Sequence, residues 1–291
     1  MSHVRIFLRG GLGNQFFQWL HATRLAQQHT GIEIVLDTSF LQPRRDNQAA
    51  GKLELGTLFS DIGHRVVRFD WARRFEPVLS RATRMLGMAD TDENTRRHRP
   101  PCAKPLPFHY GYYQTPDEFT VTVAQYARSL VKPALRVRPL TEYYAALHIR
   151  SGDYNASDYN RHVIGSLTDD YYVAAAAALL QHAPDLRIVV VSDDAVAAAR
   201  LLPVIAKSTG ATRIDTLDGL LGRDNRPAEA LHYLLNARIL ATANSSFSAM
   251  AAYVGAATHV IAPQPWFRGS ALSGMDPSLI AWSRVRATFR S

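Results

Sequence analysis

Residues 145–154 read Ala-Ala-Leu-His-Ile-Arg-Ser-Gly-Asp-Tyr, an apolar strand-like run that ends in polar groups. Alternation along a strand puts His148 and Arg150 on one face. In a parallel α/β sheet, ligands sit at the C-terminal edge of the strands. A guanidinium there suits a diphosphate, because its fork pairs bidentately with phosphate oxygens. Gly152 permits a turn, and Asp153 suits either a cap or a base. The plainer alternative makes Arg150 and Asp153 a structural ion pair and His148 a satisfied core histidine.

Three other segments carry comparable capacity. Gly10-Gly11-Leu12-Gly13-Asn14-Gln15 follows a strand-like run and opens a helical one. Glycines allow a tight turn and close approach to a ligand, and a helix start offers N–H groups to an anion. No Gly-Lys-Ser/Thr follows, and the third glycine of a dinucleotide fingerprint is absent. The amides of Asn14 and Gln15 exceed what a turn needs. Ser192-Asp193-Asp194 closes another apolar run, where helix capping alone would account for it. Asn244-Ser245-Ser246-Phe247-Ser248 places an amide and three hydroxyls at a helix start, a phosphate cradle in which capping explains one residue but not four.

Other chemistries lack their signatures. There is no His-Glu-x-x-His, EF-hand pattern or Cys/His cluster, so no metal is implied. Asp193 and Asp194 are adjacent rather than spaced by one, and do not read as a metal site. Gly-x-Ser-x-Gly is absent, which disfavours a serine hydrolase.

The elements that must position these groups are βα units. A strand at 4–8, a helix through Phe16, Phe17, Leu20, Leu25 and Ala26, and a strand at 32–36 form the first. Residues 64–104 are rich in arginine, with few strand signals, and the proline-rich run 99–107 reads as extended. A second series follows: strands at 143–149, 186–191, 213–216, 239–243 and 259–262, and helices at 169–180, 194–202, 227–237 and 248–254. Such alternation predicts parallel sheets flanked by helices. The boundary is expected near Arg138-Pro139-Leu140.

The chain has 291 residues, 33 Lys plus Arg and 25 Asp plus Glu, for a net charge of +8. Apolar residues at 47% and charged residues at 20% exclude a disordered or collagen-like chain. The single cysteine, Cys102, excludes a disulfide framework and a CxxC pair. No targeting or membrane-spanning run stands out, so a soluble, cytoplasmic protein is expected. The basic balance fits nucleic acid, an anionic membrane or a phosphorylated small molecule. No helix-turn-helix or RRM signature supports nucleic acid.

Taken in order, residues 10–17 (GGLGNQFF), 111–114 (GYYQ), 148–154 (HIRSGDY), 166–172 with its paired tyrosines, 191–194 (VSDD), 243–248 (ANSSFS) and 260–267 (VIAPQPWF) resemble the inverting α-1,2-fucosyltransferases, mostly bacterial enzymes that use GDP-fucose. The resemblance implies an α/β, GT-B-like fold of two Rossmann-like domains with a cleft between them. Residues 1–138 would form the acceptor side and 139–291 the nucleotide-sugar side. It implies neither metal nor cofactor, only the donor GDP-fucose. Arg150 would bind the diphosphate, His148 would lie near the guanine or phosphates, and Asn14 would reach the donor from across the cleft. Asp193, Asn244, Ser245, Ser246 and Phe247 would complete the donor site, and Gly11, Gly13, Gln15, Tyr113 and Gln114 would lie on the acceptor side.

Three departures stand out. Ser151 replaces a second arginine, Ala249 and Met250 replace two tryptophans, and the usual acidic residue falls at Ala230, leaving neighbouring Glu229 to meet the guanine. Ser151 and Ala230 motivate an alternative, a GT-B glycosyltransferase with another nucleotide sugar. Transfer of fucose breaks the C1–O bond to the β-phosphate. Arg150 and the N–H groups near Ser246 would stabilise the leaving diphosphate, with Asp153 and Asp158 as candidate bases. The acceptor would be a galactose-containing or lipid-linked glycan, as in O-antigen-type surface polysaccharide. The basic segment 64–104 would face anionic lipid.

Overall fold

The computed structural model describes residues 2–41, 51–69, 75–91, 105–151 and 160–290. It divides into two units, Met1–Leu130 and Val131–Ser291. The sequence puts the boundary near Arg138. The short 3-10 turn Pro133–Arg136 belongs instead with the second unit, because Leu135 O accepts a hydrogen bond from Asn236 Nδ2 at 2.7 Å.

In the first unit, β1 (Ser2–Phe7) leads through α1 (Leu12–Gln28) to β2 (Ile32–Asp37). Next come α2 (Leu55–Leu58), β3 (Arg65–Val67), α3 (Glu76–Met85), β4 (Ala89–Asp90), β5 (Phe108–His109) and α4 (Val121–Leu130). The sheet is parallel, in the order β3-β2-β1-β5-β4. The basic segment thus carries two short strands and a helix that the sequence barely signals. The strands are two or three residues long, too short for alternation to register. α1 is buried along most of its length, with Phe16, Phe17, Trp19 and Leu20 fully enclosed. Trp19 satisfies its indole N–H by donating to Ile62 O at 2.7 Å.

The second unit begins at β6 (Tyr144–Ile149), followed by α5 (Asp169–His182), β7 (Arg187–Ser192), α6 (Ala195–Thr209), β8 (Ile214–Thr216), α7 (Leu217–Leu221), α8 (Pro227–Leu235), β9 (Ile239–Ala241), α9 (Ser246–Val254), β10 (His259–Gln264) and β11 (Ser283–Arg286). These strands form one parallel sheet, ordered β11-β10-β9-β6-β7-β8. Counted from β6, this is the doubly wound nucleotide-binding order 3-2-1-4-5-6.

Alternation divides β6 between two layers. Ala145, Leu147 and Ile149 pack with Tyr171, Ala175 and Leu179 of α5 and with Leu201 of α6. Tyr144 faces the other way and donates to Tyr233 O on α8 at 2.7 Å. Two sequence expectations change here. α6 runs past residue 202 because Pro203 lies on its exposed face, where water can serve the carbonyl that proline's missing N–H leaves open. β11 went unsignalled, since its Ser-Arg-Val-Arg composition is that of an exposed edge. Among the described residues no helix is long and apolar enough to cross a membrane.

Candidate functional site

The strand order of the second unit reverses between β6 and β9, and ligands of open α/β sheets bind beyond the strand ends at such a point. Leu147 pairs with Ala241 across these strands. Three residues further along each chain stand Arg150 and Asn244, so the HIRS and ANSSFS segments leave the sheet side by side.

Arg150 donates from Nη1 to Asp193 Oδ2 at 2.8 Å, with the two side chains 22% and 26% exposed. Asp193 Oδ1 accepts from Ser151 N at 3.0 Å. One carboxylate therefore holds both the guanidinium and the loop that carries it. The sequence reading puts Asp193 on the donor; in the structure it pairs with Arg150. Asp153 and Asp158, the candidate bases, lie outside the described residues, as does Gly152.

His148 is 3% exposed, and its ring centroid is 6.1 Å from that of Phe247. Burial first, and then the charge of Arg150, push its pKa down to about 3, so the imidazole is neutral. Its Nδ1 is buried with no hydrogen-bond partner among the described residues. A buried ring nitrogen without a partner is costly unless something completes it.

At the start of α9, Ser245 is the N-cap and its Oγ accepts from Phe247 N at 3.3 Å. Ser248 Oγ turns back to Ser245 O at 3.2 Å, and Asn244 Nδ2 donates to Gly165 O at 2.8 Å. Local structure thus claims more of this cluster than one capping residue. Ser246 and Phe247 are left half-exposed beside the first-turn N–H groups, in the dipole's positive end. Glu229 is committed elsewhere. It closes the capping box of α8, accepting from Arg226 N at 2.8 Å, and pairs with Arg223 through both oxygens. Arg223, then the Arg226 amide, hold it down at about 2.

The first unit has its own reversal, between β1 and β5. The GGLGNQ turn follows β1 and the GYYQ segment follows β5, and the two meet. Gln114 Nε2 donates to Asn14 Oδ1 at 2.7 Å, and Gln18 Nε2 to Gly111 O at 3.2 Å. Gly10 takes φ +72° at the turn, where a Cβ would lie 2.3 Å from Asn14 Nδ2.

Two acceptor-side expectations change. Gln15 is fully buried and stitches residues 52–54 to α1: Nε2 donates to Gly10 O and Lys52 O at 2.9 and 2.8 Å, and Oε1 accepts from Glu54 N at 2.8 Å. Tyr113 is buried too, stacked 3.7 Å from the His21 ring. Gly11 caps α1 and Gly13 is buried within its first turn.

Glu54 is the residue sequence reasoning missed. Its Oε2 accepts from Leu12 N at 2.7 Å, so the anion at the start of α1 is internal. Burial raises its pKa more than that amide and Lys52 lower it. Its only sequence signal is an acidic residue before a short apolar run.

No protein-family model matches the sequence, and no curated protein matches it significantly. Solved structures with a similar backbone include the NodZ α-1,6-fucosyltransferase soaked with GDP-fucose, at 12% identity over 89% of this chain and 94% of that one, with a TM-score of 0.49. POFUT1 in complex with GDP is 11% identical over 88% and 96%, with a TM-score of 0.44. The E. coli heptosyltransferase WaaC with ADP is 13% identical over 98% and 93%, with a TM-score of 0.43. At such identities and scores the likeness assigns neither a family nor an activity. What the chain itself displays is an α/β architecture of two parallel-sheet units, each with its polar motifs gathered at the point where the strand order reverses.

Proposed function

We propose that this chain is an inverting glycosyltransferase that moves L-fucose from GDP-fucose to the 2-hydroxyl of a galactose-containing glycan. In this reading the donor binds the second unit. The observation that carries it is the convergence, at the β6/β9 reversal, of Arg150, the start of α9 and the buried Nδ1 of His148. A guanidinium and a helix N-terminus suit a diphosphate whose charge grows as the C1–O bond breaks. A neutral imidazole suits a neutral hydrogen bond to the nucleotide, and Phe247 offers it an apolar face. Stabilisation of the leaving group then needs no metal at this site.

Incubation with GDP-fucose and lactose, followed by mass spectrometry and linkage analysis, tests the reading. A fucosylated product with an α-1,2 linkage is expected; no transfer to any galactoside overturns it. A different nucleotide sugar is the second reading, favoured by Glu229, whose engagement in the α8 cap leaves the guanine without that acid. A panel of GDP- and UDP-sugars separates the two, because the true donor raises the melting temperature. The proposed acceptor is a lipid-linked glycan of surface polysaccharide, met at an anionic cytoplasmic membrane surface. α3 supports that contact. It buries none of its residues, exposes Val78 and Met85 with Phe75 and Leu86 at its ends, and carries Arg81 and Arg84 alongside.

A further inference from the structure

Behind the GYYQ segment, three buried side chains from three elements converge. Asp90 ends β4, His109 ends β5 directly beside it in register, and His21 comes from α1. His21 Nε2 lies 3.0 Å from His109 Nδ1, and Asp90 Oδ2 lies 3.5 Å from the same Nδ1.

Hydrogen-bond partners orient both rings. His109 Nε2 is 2.9 Å from Leu106 O, which only accepts, so Nε2 carries the proton and Nδ1 is bare. His21 Nδ1 is 3.1 Å from Glu118 Oε1. Arg24 Nη2 stands 3.4 Å from the same Nδ1, and Arg24 also donates to both Glu118 oxygens. His21 thus turns Nδ1 to Glu118 and Nε2 toward His109 Nδ1. Two ring nitrogens and a carboxylate oxygen, all buried, therefore face one another, a donor set of the kind that holds a metal ion.

From this geometry we propose that His21 Nε2, His109 Nδ1 and Asp90 hold a divalent transition-metal ion of the zinc class, buried in the first unit and structural in role. The three ligand atoms lie within 4.8 Å of one another. A tetrahedral ion with bonds of about 2.0–2.1 Å sets its ligands about 3.3 Å apart, between the two distances measured here. Two imidazoles and a carboxylate are a donor set that zinc accepts. Each ring also sends its second N–H to an outer acceptor, Glu118 or Leu106 O, as ligating histidines do. The His21 ring is held in plane by Tyr113, stacked at 3.7 Å and 3°, and Tyr113 adopts a left-handed φ of 53° to reach it. The spacing of these ligands, at positions 21, 90 and 109, carries no sequence motif.

The test reads metal, not sugar transfer, so it stands apart from the proposed activity. The tag-free full chain, stripped with chelator and reloaded, is expected to retain one zinc per chain by elemental analysis. Cobalt(II) is expected to give the visible absorption of a four-coordinate site. Asp90→Asn and His109→Gln each lower the affinity at least a hundredfold, while His259→Gln, in the separate His182–His259 contact, leaves it unchanged. Where a variant fails to fold, the wild-type cobalt protein decides. Its proton NMR spectrum is expected to show two strongly shifted imidazole N–H signals, from His21 Nδ1 and His109 Nε2. Wild-type protein that retains no zinc and shows no cobalt band overturns the proposal, leaving a proton on His21 to bridge the rings. So does retention that survives both ligand substitutions.

Discussion

Replacing Arg150 with alanine removes the guanidinium that Asp193 holds in place at the β6/β9 reversal, and is expected to cut transfer about 10²–10³-fold, chiefly in kcat. The role of Asp193 follows from the same geometry. At 2.8 Å the pair attracts by about 6 kcal/mol gross at an effective dielectric near 20. Both side chains are about a quarter exposed, and solvent and desolvation leave about 1–2 kcal/mol of net holding energy. Asp193→Asn keeps an acceptor for the Ser151 amide but gives up the charge. Its expected cost is therefore roughly fivefold to thirtyfold, the worth of misorienting Arg150 rather than of losing it. A double-mutant cycle makes this testable. Initial rates of transfer from GDP-fucose to lactose are measured for wild type, each single variant and the pair, with melting curves to show that all four fold. If Asp193 acts only through Arg150, adding Asp193→Asn to Arg150→Ala costs nothing more. Wild-type-like turnover by Arg150→Ala, or an equal cost of Asp193→Asn in both backgrounds, refutes the reasoning.

Gly10→Ala forces a Cβ into a left-handed turn and against Asn14, so it is expected to cost about 1–2 kcal/mol and to lower the melting temperature by several degrees. His148 has a folded pKa near 3 against about 6.5 unfolded, so its stabilising contribution is complete above pH 6.5 and is lost as pH falls toward 3. By pH 5 that loss is about 2 kcal/mol, and denaturant titrations of His148→Gln are expected to show a correspondingly flatter dependence between pH 7 and 5. Arg81→Ala with Arg84→Ala removes about 1 kcal/mol of attraction per residue to an anionic surface, so binding to phosphatidylserine-containing vesicles in a sedimentation assay is expected to fall about thirtyfold.

The strands that bury both faces were legible because long apolar runs such as 144–149 and 187–192 leave little choice of environment. The two- and three-residue strands of the basic segment were not, since so short a piece has no period. The motif pairs were legible as strand-end polar clusters, and the topology explains why they matter: the chain returns to the same edge at residues 10 and 111, and again at 150 and 244. What the sequence could not apportion was how each polar group is spent. Gln15, Asn244 and Glu229 read as free recognition groups, yet each is committed to a nearby backbone amide or carbonyl. Tyr113 reads as an acceptor contact and is packed on a histidine ninety-two positions away. Glu54, His21, Asp90 and His109 act through partners too distant in the chain for spacing to reveal.

The all-parallel sheets also bear on how the protein is made. In each unit the strand that feeds the polar turn is central and is synthesised first. β1 at residues 2–7 gains its second neighbour only with β5 at 108–109, and β6 at 144–149 only with β9 at 239–241. At roughly 5–20 residues per second, each waits on the order of 5–20 s on the ribosome with one hydrogen-bonding edge open. The loops that hold the polar motifs thus begin life beside the nascent chain's most adhesive edges. Chaperone demand during synthesis is accordingly expected in two separate windows, each closing when the late central strand arrives.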